Sequence, residues 1–183
     1  MRYLLDASQG FFKVQAFARG PLSALGHSPT FKVGAFAGEI EFSSDPNPRA
    51  AVHLTIQADS LALADAVKPK DRADIESRMR QDVLESSSYA TIALESTEIS
   101  AVKIADGWYR LAITGKLSLH GVTKTQRIDA QLRLLEDEAR ISGESMLSQS
   151  VYRIKPVSAL AGMLQLQDEL KITFDLVARE QSG

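Results

Sequence analysis

The sequence predicts an all-β protein of about eight antiparallel strands with one amphipathic α-helix. Three observations carry this. Apolar and polar residues alternate through most of the chain, as strands with one dry face require. The alternating runs are joined mostly by turn-rich segments too short for parallel crossovers. A single stretch, following Lys70, changes to a helical period.

In chain order, "FFKVQAF" sets Phe12, Val14 and Ala16 against Lys13 and Gln15, and "ARGPLSALGHSP" then interrupts as a turn. In "FKVGAFAGEIEF", Phe36, Gly38, Ile40 and Phe42 share a phase. The small residues Gly34, Ala35, Ala37 and Gly38 predict tight curvature or a bulge there. "SSDPNPR" is a turn. "AVHLTIQAD" aligns Val52, Leu54, Ile56 and Ala58.

"DRADIESRMRQDVLE" spaces Ile75, Met79 and Val83 four apart, with Leu84 adjacent, on an otherwise charged helix. At 1.5 Å per residue it is roughly 22 Å long, enough to lie across the end of a sheet or barrel. Strands resume at "YATIALESTEISAV", turn at "KIADG", and continue as "YRLAITGKLSL" with Tyr109, Leu111, Ile113, Leu117 and Leu119 in phase. "RIDAQLRLL" aligns Ile128, Ala130, Leu132 and Leu134, "EDEA" turns, and "RISGESML" is a weaker, more polar strand. Pro156 and Gly162 mark "YRIKPVSALAGMLQL" as a long loop or short helical turn. "ELKITFDLVA" closes the pattern with Leu170, Ile172, Phe174 and Leu176.

With 183 residues and no linker, repeat or low-complexity segment, residues 1–183 read as one domain able to bury a core without staples. Lys and Arg total 21 against 23 Asp and Glu, a formal charge of -2, which lacks the basic footprint of a nucleic-acid binder. The absence of cysteine removes disulfides, thiolate catalysis and thiolate metal sites. Asp6 interrupts the N-terminal apolar residues too early for a secretory signal, and no run is long enough for a membrane span. A cytoplasmic location is therefore expected, or a periplasmic one if a leader ahead of Met1 has been removed.

Strands with one dry face have two common homes, a closed barrel or two stacked sheets, and alternation does not choose between them. Only a barrel leaves a lumen. Eight strands make one just wide enough for packed side chains or a slender ligand.

The stretch "ITGKLSLHGVTKTQRIDAQL" resembles the YceI-like, polyisoprenoid-binding family, whose hallmark strand ends in a G-x-L-(T/S)-(I/L)-x-G-V-T-(K/R) turn. Gly115, Leu117, Ser118, Leu119, Gly121, Val122, Thr123 and Lys124 carry the match. "YLLDASQGFFKVQAF", "GAFAGEIEF" and the helix followed by "SSYATIALES" are similar to the family's neighbouring segments. The sequence departs from the family at Val83–Glu85, at Tyr89-Ala90, and around Arg153, Ile154 and Gly162.

The resemblance implies an eight-stranded antiparallel, lipocalin-like barrel holding an isoprenoid or prenyl quinone type of molecule in its lumen. It needs no cofactor and no catalytic group. Leu111, Ile113, Leu117 and Leu119 would then face hydrocarbon or the side chains around it, as would Phe12, Phe36, Leu54, Ile56, Ile128, Leu132, Ile172 and Phe174. The same barrel with a side-chain-filled core would be a structural or interaction module, and a polar constellation inside it would make an enzyme acting on a hydrophobic substrate.

Other features have plainer readings. His27, His53 and His120 match no metal-ligand spacing, and the last two fall on polar strand phases that point outward. "LGHSP" is no nucleophile elbow, and Asp137 and Glu138 sit in a solvated turn. Lys116, Lys124 and "KPKDR" are solvated charges. The stripe Ile75, Met79, Val83 is core that caps the barrel or lies on its wall, or else a lid whose displacement admits ligand. A homodimer through the barrel wall is compatible with the sequence, though no stripe marks its interface.

Overall fold

Period two in the sequence becomes, among the described residues, fourteen strand segments. These are β1 (Arg2–Leu5), β2 (Phe11–Gln15), β3 (Ala18–Arg19), β4 (Thr30–Val33), β5 (Phe36–Ser43), β6 (Arg49–Gln57), β7 (Leu61–Leu63), β8 (Thr91–Ala105), β9 (Trp108–Leu119), β10 (Val122–Leu134), β11 (Glu138–Ser148), β12 (Ser158–Ala159), β13 (Leu164–Leu166) and β14 (Glu169–Glu180). The helix α1 (Pro69–Arg78) stands between β7 and β8. The computed structural model describes residues 1–20, 28–43, 48–159 and 164–181. His27, most of the turn read at 43–49, and Gly162 lie outside them.

The strands close into an eight-stranded antiparallel barrel. Its first three staves are each broken in two. β1 and β2 both run along β14, through Leu5↔Ala178 and then Phe12↔Phe174. β4 and β5 follow one line beside them, through Val14↔Phe31 and Leu4↔Glu39. β6 and β7 flank that line on its other side, through Phe36↔Ile56 and Phe31↔Leu63. β8, β9, β10, β11 and β14 complete the wall as long continuous staves, and β14 meets β1 to close it. Closure decides the question that alternation left open, in favour of the barrel.

The small-residue run curves the second stave as its composition predicts. At Gly34 the stave bends while the Gly34 amide still donates to the Ser60 carbonyl at 3.0 Å. At Gly38 a Cβ would stand 2.3 Å from the His53 carbonyl oxygen, so the backbones of β5 and β6 approach closer there than any side chain permits. The first stave breaks at Asp6, whose carboxylate accepts hydrogen bonds from the Ser8 amide and hydroxyl. Those bonds, with Arg179 nearby, hold the Asp6 carboxyl below its ordinary range.

The turn expected at residues 103–107 is tighter than the sequence suggested. β8 runs to Ala105, leaving Asp106 and Gly107 to make the corner. The ladder between β8 and β9 slips at Ser96/Glu98, which leaves Thr97 as the extra residue of a bulge. Past this point Ser96 Oγ accepts a hydrogen bond from the Val52 amide at 2.9 Å.

In the helix, Pro69 occupies the first turn, where its missing amide hydrogen costs nothing. α1 continues into a wider π-type turn from Met79 to Val83. Its charged face is not simply solvated. Glu76 accepts from the Leu63 amide at 2.9 Å, Arg72 donates to the Leu63 and Asp65 carbonyls, and Arg80 donates to the Asp59 and Leu61 carbonyls. These side chains satisfy the outer edge of β7, an otherwise open sheet edge. Among the described residues no helix is long and apolar enough to cross a membrane.

The hallmark turn joins β9 to β10 through two residues, His120 and Gly121, with φ of 51° and 70°. That is the positive-φ pair a two-residue hairpin prefers. A Cβ at Gly121 would stand 2.6 Å from the Tyr89 ring. His120 does not point outward, as its strand phase had implied. The left-handed backbone swings it onto Tyr89, with ring centroids 4.5 Å apart. Its Nδ1 donates to the Tyr152 carbonyl at 3.2 Å, and Nε2 lies 2.6 Å from Glu85.

Gly121→Ala should therefore destabilise the protein by at least about 1–2 kcal/mol, the cost of a left-handed backbone for a residue with a side chain. Urea unfolding of the two proteins measures it. Equal midpoints would show that the turn is not under this constraint.

Candidate functional site

The inward phases of the eight staves do two different things along the barrel axis. At the end where β1 begins and β9 and β10 have Tyr109 and Leu132, the interior is solid. Tyr3, Phe42, Tyr109, Leu111 and Leu132 are all buried there, with Phe42 and Tyr109 ring to ring at 4.7 Å. Towards the other end the same staves enclose a cavity of about 450 Å³. That is within the usual range of small-molecule sites.

Each stave that reaches the hollow half contributes the continuation of its buried phase. β14 supplies Leu170, Ile172, Phe174 and Leu176, and β6 supplies Val52, Leu54 and Ile56. Ile75, Met79, Val83 and Leu84 of the helical segment cover the mouth with the stripe read from the sequence, of which Met79 is buried. A small sheet of β12, β13 and β3 flanks this end, and Leu166 of β13 joins the lining. The sequence reading had treated that segment as loop or helical turn. A short 3-10 turn runs just ahead of that segment, from Gln149 to Tyr152, with Arg153 left-handed after it.

Of the twelve residues singled out from sequence, nine stand on the cavity wall: Phe12, Leu54, Ile56, Ile113, Leu117, Leu119, Ile128, Ile172 and Phe174. Three do not. Leu111 and Leu132 lie in the solid floor, each with 0% exposure. Phe36 packs edge-on against Phe12 with centroids 5.1 Å apart and does not reach the lining. Phase told which face was dry, but depth along the axis separates floor from wall.

The wall is apolar except for Gln126, Ser145, Gln149, Gln165 and, at the end of α1, Arg78. Ser145 and Gln149 share the inward phase of Ile141 and Leu147 on β11 and the turn after it, a row that "RISGESML" concealed by its polarity. Burial pushes the nearby Tyr152 hydroxyl above its ordinary pKa, and it has no partner among the described residues.

The seam between β10 and β11 is incomplete at its upper end. β9 stays paired with β10 up to Val122, and β11 stays paired with β14 up to Ser148. Between β10 and β11 the ladder stops at Asp129↔Glu144. Beyond that point Gln126 bridges the gap, donating to the Met146 carbonyl at 3.0 Å and to Ser145 Oγ at 3.4 Å.

The hollow opens at its mouth, so it is a pocket that solvent or a ligand can enter and not a void sealed in a core.

Comparison with known proteins agrees with the geometry. A family model described as YceI-like domain matches residues 6–178. No curated protein matches the sequence significantly. Among solved structures, Burkholderia cenocepacia BcnA superposes with a TM-score of 0.72 at 14% identity, over 94% of this chain and 98% of its own. A polyisoprenoid binding domain from Saccharophagus degradans, implicated in plant cell wall breakdown, superposes at 0.70 with 16% identity, covering 98% of each chain. The Campylobacter jejuni YCEI protein superposes at 0.64 with 14% identity, over 83% of this chain and 85% of its own. At these identities the likeness is one of fold.

The division into floor and wall has a measurable consequence. Leu132→Ala should cost about 2–5 kcal/mol, the range for truncation in a filled core. Ile172→Ala should cost less than half of that, because part of its surface already faces open space. Denaturation midpoints of the unliganded variants test the contrast, and equal losses would mean the upper half is as tightly packed as the lower.

Proposed function

The chain belongs to the YceI-like domain family, and on that footing we propose that it is a non-catalytic binder, and a store or carrier, of an isoprenoid-type lipid held in the upper half of the barrel. The single observation behind this reading is the apolar cavity of about 450 Å³ standing on a solid floor. A prenyl chain offers no hydrogen bonds and asks for none, so a wall of aliphatic and aromatic side chains suits it. Each methylene transferred from water contributes about 0.8 kcal/mol. A few isoprene units therefore suffice for tight binding without a reactive group. The polyisoprenoid binding of the Saccharophagus degradans domain supports the same class of ligand.

The solid floor bounds how far the ligand reaches. Its apolar end would stop at the layer of Leu111 and Leu132, and its polar end would lie toward α1 and the Gln149 turn. The alternative of an interaction module with a filled core describes the lower half of the barrel but leaves the upper half without a purpose.

Organic extraction of the purified protein, followed by mass spectrometry, should recover an isoprenoid-type lipid. Added prenyl quinone should bind to the stripped protein. Ile128→Trp and Ile172→Trp, which fill the hollow from two different staves, should each weaken that binding at least about tenfold while leaving thermal stability unchanged or higher. No lipid on extraction, together with no uptake of added prenyl quinone, would overturn the reading.

A further inference from the structure

Among the polar side chains on the cavity wall, one is buried. Gln149 is 4% exposed and lines the cavity. Its Nε2 donates to the Gln167 carbonyl at 3.0 Å and lies 3.4 Å from the Asp168 carbonyl. Its own amide donates to the Asp168 carbonyl at 2.9 Å. These bonds anchor the NH2 group on the loop before β14 and turn the geminal Oε1 away from that loop. Among the described residues no donor meets Oε1.

The other polar groups of the wall, Gln165 of β13 among them, are only partly buried or are exposed. Gln126 and Ser145 hydrogen-bond to each other and to the Met146 carbonyl. Arg78 is exposed, at the end of α1. A buried amide whose acceptor end meets no protein donor leaves that donor to be supplied by water or by a ligand in the cavity.

We infer that the polar end of the cargo carries a hydroxyl group that donates its hydrogen to Gln149 Oε1. This rests on the lipid-binding reading and narrows it to one ligand class, a long-chain alcohol or a prenylated quinol. A quinone or ester carbonyl would bring a second acceptor against Oε1. A phosphate would do the same with added negative charge. A plain hydrocarbon would leave the acceptor as it stands.

Geranylgeraniol and its methyl ether have the same chain and differ in the one hydrogen that matters. In competition against a fluorescent prenyl probe, the wild-type protein should bind the alcohol about tenfold more tightly than the ether. In Gln149→Met, which keeps the side-chain length and removes the amide, the two should bind within about twofold of each other. The wild-type pair decides the matter even if the variant folds poorly. Equal affinities for alcohol and ether would overturn the hydroxyl assignment and leave the lipid-binding reading standing. A preference that survives intact in folded Gln149→Met would overturn the assignment to Gln149. If neither compound binds at all, the lipid-binding reading fails, and this inference with it.

Discussion

The hollow exists because the lower half of the barrel is filled. An eight-stranded barrel is narrow enough for inward side chains from opposite walls to meet, and left to itself it packs solid. Tyr3, Phe42, Tyr109, Leu111 and Leu132 do so here and draw β1, β5, β9 and β10 together at one end. The staves rise from that plug as long hairpins, with eleven register pairs between β11 and β14 alone. Upper segments can therefore stand apart without collapsing inward, since their separation is set below and their ladders carry it upward. The cavity is a consequence of stiff staves on a packed base.

Side chains complete what the backbone leaves open. The outer edge of β7 is satisfied by Glu76, Arg72 and Arg80, three residues on successive turns of the helical segment. This binds the helix to the barrel through its charged face while its apolar stripe turns to the cavity. Two adjoining faces of one helix thus have separate structural duties, grip and cover. Where the β6–β8 ladder ends, Ser96 takes the place of a backbone acceptor, and Gln126 does the equivalent between β10 and β11.

Much of this was legible in the chain, because strand phase is a local property. The dry faces of β5, β6, β9, β10 and β14 were assigned correctly from alternation alone, and the helix stripe from its spacing of four. Features set by distant partners were not legible. Leu111 and Ile113 have the same phase and similar chemistry, yet one lies in the floor and the other on the wall, because only the assembled barrel defines depth. Of the breaks that divide the first three staves, the small residues from Gly34 to Gly38 signalled the second, while those after Leu5 and after Gln57 were not read, the alternation of Val52, Leu54, Ile56 and Ala58 running through the last. His120 was misjudged because its left-handed turn geometry cancels the strand phase used to orient it. Gln149 was passed over because a polar residue after a polar strand carries no local sign of facing inward.

The unfinished seam gives the cylinder a direction of weakness. Between β10 and β11 no row of backbone bonds runs past Asp129↔Glu144, and the single amide of Gln126 spans the interval, while the outer edge of β7 is held by side chains of the helical segment. Widening along the first of these lines breaks few bonds and leaves the plug beneath undisturbed. A tube of this build has room to yield in girth while its length stays set by the floor.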